Sequence, residues 1–156
     1  MKTLVAYFSA SGSTARLAGT LAAAAEAVLY EIRPAVPYER RDLNWMDKKA
    51  RSTVEMQDKN CRPALADTAA PVAEADVVFL GFPIWWYREP SIIDSFLEAY
   101  DFTGKTILPF CTSGGSQLGE GQGRIEALAK GAKVLPGKRL SARASEAELR
   151  ALAEGL

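Results

Sequence analysis

Three short stretches of the sequence carry residues that could take part in chemistry. The first is rich in hydroxyl groups, the second in aromatic rings and the third in glycine. They are SASGSTA (9–15), PIWWY (83–87) and TSGGSQLGEGQG (112–123). Each combination favours a different kind of contact with a ligand.

The hydroxyl-rich stretch places four hydroxyl side chains around Gly12, directly before a predicted helix. They are Ser9, Ser11, Ser13 and Thr14. Backbone N–H groups at a helix start, with hydroxyl donors converging on them, suit a bound phosphate. The stretch has neither the GxxxxGK(S/T) nor the GxGxxG pattern of nucleotide-binding loops. By itself it is more typical of an ordinary Ser/Thr helix cap, but its position after the first predicted strand favours the phosphate.

The aromatic stretch has two tryptophans and a tyrosine in a row, Trp85, Trp86 and Tyr87. In a loop beside a ligand, such residues offer an apolar wall and stacking faces for a planar ring. Adjacent side chains of an extended segment point to opposite sides, so we expect one tryptophan to face a ligand and the other the protein or solvent. At least one of the three aromatic residues is expected to pack in the core or an interface. Trp45, on a predicted helix, is interpreted as a packing residue.

The glycine-rich stretch at 112–123 follows the fourth predicted strand. Glycines let the main chain approach a flat ligand and present N–H and C=O groups to its edge. A flexible connection to the next helix would have the same composition. The position after a strand again favours the binding interpretation.

The chain contains no histidine. A Ser-His-Asp or Cys-His arrangement is therefore excluded, and two cysteines without imidazole are too few for a usual zinc site. An enzyme with this sequence would depend on a cofactor for its chemistry. Cys61 and Cys111 are far apart and form no CxxC motif, which indicates free thiols. Cys111, at the end of a predicted central strand, is expected to be buried and inert.

The charge balance gives no sign of a polyanionic partner, since Lys+Arg and Asp+Glu number 19 each. The apolar run of MKTLVAYFSAS (1–11) is too short for a signal peptide, and no stretch approaches the ~20 apolar residues of a membrane span. We therefore expect a cytoplasmic protein with no nucleic-acid or membrane partner, and a single domain over residues 1–156.

Apolar patterning predicts alternating strands and helices along the whole chain. Strands are predicted at 2–8, 28–34, 75–82, 106–113 and 132–140. Helices are predicted at 15–27, 42–57 with Asp42 as a possible cap, 91–100, 123–130 and 145–155. Five strands alternating with helices, several of them apolar on both faces, indicate an α/β fold with a parallel sheet covered on both sides. Ligands of such sheets bind beyond the carboxyl ends of the strands, which is where the three stretches fall.

At these residues the chain resembles the flavodoxin family, whose members bind FMN. The phosphate-loop pattern (T/S)-x-T-G-x-T is met by Ser9, Ser11, Gly12 and Thr14, with serine replacing threonine at two places. GFPIWW (81–86) and PFCTSGGS (109–116) extend the resemblance over essentially the whole chain. It implies a three-layer sandwich, with a five-stranded parallel sheet of order 2-1-3-4-5 and helices on both faces.

The resemblance also implies a role for each matching residue. The FMN phosphate would be wrapped by Ser9, Ser11, Gly12, Ser13, Thr14 and Ala15. The flavin ring and ribityl chain would be lined by Pro83, Ile84, Trp85, Trp86 and Tyr87, with Trp85 nearer the ring. The ring edge would be contacted by Thr112, Ser113, Gly114 and Gly115, together with Ser116 and Gly119.

Two redox functions are compatible with this resemblance. One is an electron carrier that serves redox partner proteins, and the other is a small NAD(P)H-dependent FMN reductase acting on quinone-like acceptors. The chain departs from typical flavodoxins because it is neutral and lacks an aromatic residue in the loop after the fourth strand. A binding module for a phosphate ligand, without redox chemistry, is a third possibility. The expected assembly is a monomer or weak dimer.

Overall fold

The computed structural model describes residues 2–112 and 118–156. Its strands are β1 (Thr3–Tyr7), β2 (Val28–Glu31), β3 (Val77–Phe82), β4 (Thr106–Cys111), β5 (Lys133–Val134) and β6 (Lys138–Arg139). Its α-helices are α1 (Ser13–Ala25), α2 (Arg51–Gln57), α3 (Ser91–Ala99), α4 (Gly121–Leu128) and α5 (Glu146–Glu154), and a 3-10 helix covers Arg40–Leu43. No helix in this part of the chain is long and apolar enough to cross a bilayer.

The described residues form one six-stranded parallel sheet of order β2-β1-β3-β4-β5, with β6 pairing with β4 beyond β5. In register, Leu4 lies beside Val78, and Val78 beside Ile107. Every residue of β3 is buried, as expected for a central strand covered on both faces. The predicted fold class and strand order are confirmed.

Two helical layers cover the sheet, because alternate side chains of each strand point to opposite faces. From β3, Val77 and Phe79 join the core beneath α1 and α5, while Val78 and Leu80 join the core on the other face, beneath α3 and α4. Cys111, at the end of β4, is buried as predicted.

The helix predicted at 42–57 is only partly correct. The chain forms the 3-10 helix at Arg40–Leu43, is irregular over 44–50 and becomes α-helical at α2. Asn44 and Asp47 explain the interruption, because their side-chain oxygens accept the backbone N–H groups of Met46 and Lys49. Such local bonds compete with helical ones. Asp42 accepts the Glu39 N–H within the 3-10 turn and does not begin a long helix.

The strand predicted at 132–140 is divided into β5 and β6. Pro136 lies between them and has no N–H for the ladder. The side chain of Gln122 fills the break, donating to the Leu135 carbonyl at 3.1 Å and accepting the Gly137 N–H at 2.8 Å. Both short strands therefore pair with β4, but the break adds one residue on their side: Ile107 lies beside Val134, and Phe110 beside Lys138.

Candidate functional site

Three loops meet at the carboxyl edge of the sheet. The ring of Phe8, at the end of β1, lies 5.6 Å from that of Trp85 in the loop after β3. Thr14 and Thr112 share a hydrogen bond of 2.9 Å between their hydroxyls, which joins the loops after β1 and β4. The Glu120 N–H donates to the Tyr87 carbonyl at 3.1 Å. The structure thus brings together the stretches in which the sequence places a binding site.

The loop after β1 leaves the start of α1 open to an anion. Gly12 has a left-handed backbone (φ 98°) at the cap position, and no described side chain caps the helix there. The Ser9 hydroxyl accepts the Gly12 N–H at 3.1 Å, so it braces the loop. The first-turn N–H groups of a helix have no intrahelical partners. The first turn of α1 also carries no acidic residue, so an anion would meet these N–H groups without repulsion from the turn itself.

The other hydroxyls of this loop differ in exposure. Thr14 is buried, where it bonds Thr112, while Ser11 and Ser13 are exposed and Ala15 is half-buried. Thr14 therefore connects two loops, and the exposed Ser11 and Ser13 are free to turn toward a ligand.

The aromatic stretch forms a tight turn and is not extended. The Trp85 N–H donates to the Arg88 carbonyl at 3.0 Å, and the Arg88 N–H donates back to the Trp85 carbonyl at 3.2 Å. Trp86 and Tyr87 between them have φ of 48° and 67°, the backbone of a type I′ turn. Bulky residues rarely adopt positive φ, and such strain concentrates at functional sites. The expectation that Trp85 and Trp86 alternate along an extended segment is therefore wrong.

Trp85 and its neighbours in the turn have different surroundings. The Trp85 indole packs edge-on against Phe8 and against Tyr38, whose ring centroid lies 5.5 Å away. Trp86 is 38% exposed and Tyr87 74% exposed. Trp85 is thus the packed member of the three, as expected for at least one of them, while the tip of the turn faces solvent.

A cavity of about 490 Å³ opens beside this turn. It is lined by Leu43, Trp45, Ser52, Ile84, Trp85, Trp86 and Tyr87. Half-buried Pro83 precedes these residues in the loop. Trp45 was interpreted from the sequence as a packing residue, and this is wrong, because it is 71% exposed and forms a wall of the cavity. Leu43 and Ser52 also line the cavity and were not predicted, although a tryptophan beside a polar, irregular segment was an available signal.

The loop after β4 is described only at its two ends. Thr112 is half-buried beside Thr14, and Gly119 lies against the aromatic turn with a positive φ of 60°. A Cβ at Gly119 would lie 2.3 Å from the Tyr87 carbonyl oxygen. Ser113, Gly114, Gly115 and Ser116, which were predicted to contact a ligand, lie outside the described residues. No group of acidic, cysteine or histidine side chains in the described part of the chain could hold a metal ion.

The model of the Flavodoxin family matches residues 2–156 of this sequence. The chain belongs to the flavodoxin family. A candidate flavoprotein from Bacteroides uniformis is 44% identical, with a TM-score of 0.91 over 98% of this chain and 97% of that one. Another, from Bacteroides eggerthii, is 44% identical with the same TM-score over 99% of this chain and 96% of that one.

More distant flavoproteins share the fold. One from Lactobacillus acidophilus, whose crystal structure is a complex with FMN, is 20% identical, with a TM-score of 0.73 over 88% of this chain and 92% of that one. No curated protein matches the sequence.

Behind the aromatic turn, the flavodoxin chain buries a cluster of charged side chains that the sequence analysis did not anticipate. Arg88 and Asp94 are 1% and 0% exposed, and Glu89 is 0% exposed. Arg124 of α4 bridges the two acids, donating to Glu89 Oε2 at 3.0 Å and to Asp94 Oδ2 at 2.6 Å. Buried charges are costly unless they are paired, so Arg124 offsets the cost of burying both acids and links the loop after β3 to α3 and α4.

Arg88 extends the cluster to the end of α2. Its guanidinium donates to the backbone carbonyls of Glu89 at 3.1 Å and Met56 at 3.2 Å, and lies 3.6 Å from Asp94 Oδ2. Arg62 adds an ion pair to Asp94 at 3.7 Å. The turn that carries Trp86 and Tyr87 is therefore held from below by buried charge.

In each of the two buried acids, one carboxyl oxygen is hydrogen-bonded to Arg124 and the other is not. Glu89 Oε1 and Asp94 Oδ1 have no hydrogen-bond partner among the described residues. Burial, followed by hydrogen bonding and charge repulsion from Asp94, raises the pKa of Glu89 to about 8, against the opposing effect of Arg124. Burial and Asp94 thus favour the protonated form of Glu89, whereas Arg124 favours the ionised form.

Proposed function

We propose that the chain binds FMN and acts as a flavodoxin-like electron carrier for redox partners. FMN supplies electron-transfer chemistry when bound, and the chain's own residues hold it and orient it. Membership of the flavodoxin family supports the cofactor. So does the related flavoprotein from Lactobacillus acidophilus, whose crystal structure contains FMN.

One observation carries the proposal: an open helix start lies beside an aromatic cavity. No described side chain caps α1, so its first-turn N–H groups suit a phosphate. The Phe8–Trp85 contact holds this helix start next to the turn that lines the cavity. A ligand with a phosphate at one end and a flat ring at the other would use both features. The phosphate contacts are assigned to Ser9, Ser11, Gly12, Ser13, Thr14 and Ala15.

The cavity fits the flat end of such a ligand. Its volume of about 490 Å³ is in the range of small-molecule sites, and three indoles and a phenol line it. Pro83, Ile84, Trp85, Trp86 and Tyr87 are assigned to the ring and ribityl chain, and Trp45 joins them. Contacts to the ring edge are assigned to Thr112, Ser113, Gly114, Gly115, Ser116 and Gly119.

The lining of the cavity favours the carrier over catalysis by side chains. No acidic or basic residue lines it among the described residues. An electron carrier needs no proton donor there, because the protein acts through stacking, hydrogen bonds and exclusion of water.

The reductase remains the second candidate, and the exposed aromatic rim favours it. Trp45, Met46 and Tyr87 are each more than 70% exposed, and Trp45 and Tyr87 line the cavity mouth. A planar quinone-like acceptor could stack on this apolar rim after NAD(P)H has reduced the flavin.

Anaerobic titration of the FMN-loaded protein separates the two functions. For a carrier, photoreduction bleaches the flavin absorbance, whereas NADH and NADPH leave it unchanged. Direct bleaching by NAD(P)H, followed by reoxidation with a quinone, would replace the carrier with the reductase. Failure of the refolded chain to bind FMN would overturn both.

A further inference from the structure

Glu89 and Asp94, the buried acids behind the aromatic turn, each have one carboxyl oxygen that accepts a hydrogen bond and one that does not. The Arg124 guanidinium hydrogen-bonds one oxygen of each, Glu89 Oε2 and Asp94 Oδ2. The other oxygen of each, Glu89 Oε1 and Asp94 Oδ1, has no partner among the described residues. Both side chains are 0% exposed, so bulk water does not solvate these oxygens. A carboxylate oxygen can only accept, whereas a protonated carboxyl can also donate.

We propose that Glu89 and Asp94 share one proton between their carboxyl groups, and that this carboxylic acid–carboxylate pair positions the Trp85–Arg88 turn. A proton on one of the two carboxyls is a donor that the other carboxyl can accept. The link from the pair to the flavin rests on the function proposed above, but the proton itself does not.

The charges around the pair come from every element packed against it. They are Arg88 beside it in the chain, Glu98 on α3, Glu120 and Arg124 at α4, and Lys59 and Arg62 after α2. Arg62 makes its closer contact, 2.7 Å, with Glu98. Lys59 pairs with Glu120 at the surface, 2.9 Å apart. Arg124 is thus the cation that hydrogen-bonds both acids among the described residues, whereas Arg88 and Arg62 lie near Asp94 alone, at 3.6 and 3.7 Å from its Oδ2.

The pair is connected to the turn by short paths. Arg88 ends the turn, and its guanidinium donates to the Glu89 carbonyl. On the other side, a Cβ at Gly121 would lie 3.2 Å from Glu89 Oε1, so the first turn of α4 packs directly on this carboxyl. Repulsion between two ionised acids would push the turn and α4 apart. Loss of the proton therefore acts on the turn that lines the cavity and on the start of α4, which packs behind it.

The direction of the pH effect follows from the raised pKa of Glu89. The folded chain holds this proton up to pH of about 8, while the unfolded chain releases it near 4.5. The stabilising contribution is complete below about pH 4.5 and is lost as the pH rises toward 8. Over that window, release of one proton lowers the folding equilibrium constant by up to about tenfold per pH unit. The chain has no histidine, the side chain that ordinarily titrates there.

The test combines infrared spectroscopy with unfolding of the full-length protein, with and without FMN. The wild type is expected to show the C=O stretch of a buried carboxylic acid at about pH 6 and to lose it by about pH 9.5. Glu89→Gln should lack this band and should flatten the pH dependence of stability, because its amide N–H can donate to Asp94 at any pH. Glu126→Gln, which removes an exposed carboxyl from the same helix as Arg124, should behave as the wild type.

The affinity for FMN tests whether the acid pair positions the Trp85–Arg88 turn. FMN affinity of the wild type should fall by about tenfold between pH 6 and 9.5, as the turn shifts, and that of Glu89→Gln should stay constant. Absence of the carboxylic acid band, or an unchanged band in Glu89→Gln, would overturn the shared proton. If Glu89→Gln does not fold, Asp94→Asn assigns the band instead, since it removes the neighbour whose hydrogen bond and charge add to burial in raising the pKa of Glu89. A band without any pH effect on FMN affinity would overturn the positioning role alone, and failure to bind FMN at any pH would count against the proposed function and not against the proton.

Discussion

Gly119 offers a sharp test of whether the loops after β3 and β4 act as one unit. Its backbone is left-handed, with φ of 60°, and a Cβ there would lie 2.3 Å from the Tyr87 carbonyl oxygen. Real Cβ contacts essentially never fall below 3.0 Å, so Gly119→Ala must move the two segments apart by at least about 0.7 Å. The same movement lengthens the 3.1 Å hydrogen bond from the Glu120 N–H to the Tyr87 carbonyl beyond bonding range.

Gly104 provides the matched control. It also has a positive φ, 79°, but a Cβ there would meet no described atom within 4 Å. It precedes β4 and so lies at the opposite edge of the sheet from the cavity. An alanine in left-handed backbone costs roughly 1–2 kcal/mol at either position. Loss of the hydrogen bond adds about 0.5–1.5 kcal/mol at Gly119 alone.

The assays are urea unfolding and FMN titration followed by flavin fluorescence. We expect Gly119→Ala to lose about 1.5–3.5 kcal/mol of stability and at least about tenfold in FMN affinity, because Trp86 and Tyr87 move with the carbonyl. Gly104→Ala should lose stability but bind FMN as the wild type does. If both variants bind FMN equally well, Gly119 is only a conformational requirement, and the turn and the α4 loop do not form the flavin site together.

Three further predictions concern single side chains. Ser11→Ala should weaken FMN binding by about 1.5–3 kcal/mol through loss of a donor to the phosphate. Riboflavin, which lacks the phosphate, should bind wild type and variant equally well. An equal loss of affinity for both ligands would show that Ser11 supports the fold and does not bind the phosphate. Trp85→Ala should destabilise the protein by about 1–3 kcal/mol, since it loses edge-on contacts with both Phe8 and Tyr38. Trp86→Ala should instead reduce FMN affinity with little change in the urea midpoint. The reverse pattern would exchange the roles of the two tryptophans. Cys111 should resist thiol labelling in the native state. Cys61 should label slowly, because burial, with the Glu55 and Asp58 carboxylates, raises its pKa. Cys61→Ser assigns the labelling signal to one cysteine, and rapid modification of Cys111 would contradict its burial.

The fold could be predicted because local and long-range signals agree along most of the chain. Strand β3 is apolar on both faces in sequence and buried on both faces in the structure. The loops that bear Ser11 and Trp85 could be placed at the same edge, since all parallel strands end there. The helix at 42–57 could not be bounded correctly, because Asn44 and Asp47 compete for backbone N–H groups in a segment whose apolar spacing remains helical.

The buried charges lay beyond any local pattern. Arg88 and Glu89 follow three aromatic residues and would ordinarily face solvent in a loop. Their burial depends on Asp94 and Arg124, which the fold brings from two other elements. The type I′ turn was equally hidden, because Trp86 and Tyr87 are not the glycine or asparagine residues that normally occupy positive φ.

The strand order has a consequence for how the chain is made. Strand β1 leaves the ribosome first, yet it lies in the interior of the sheet, between β2 and β3. Leu4 waits for its partner Val78, 74 residues later, which is about 4 to 15 s of synthesis at roughly 5–20 residues per second. During that interval the backbone N–H and C=O groups of β1 that β3 will bond remain unpaired, beside the strand's apolar side chains. Substitutions that make β1 less apolar should therefore change the yield of soluble protein in a way that their effect on the free energy of unfolding does not predict.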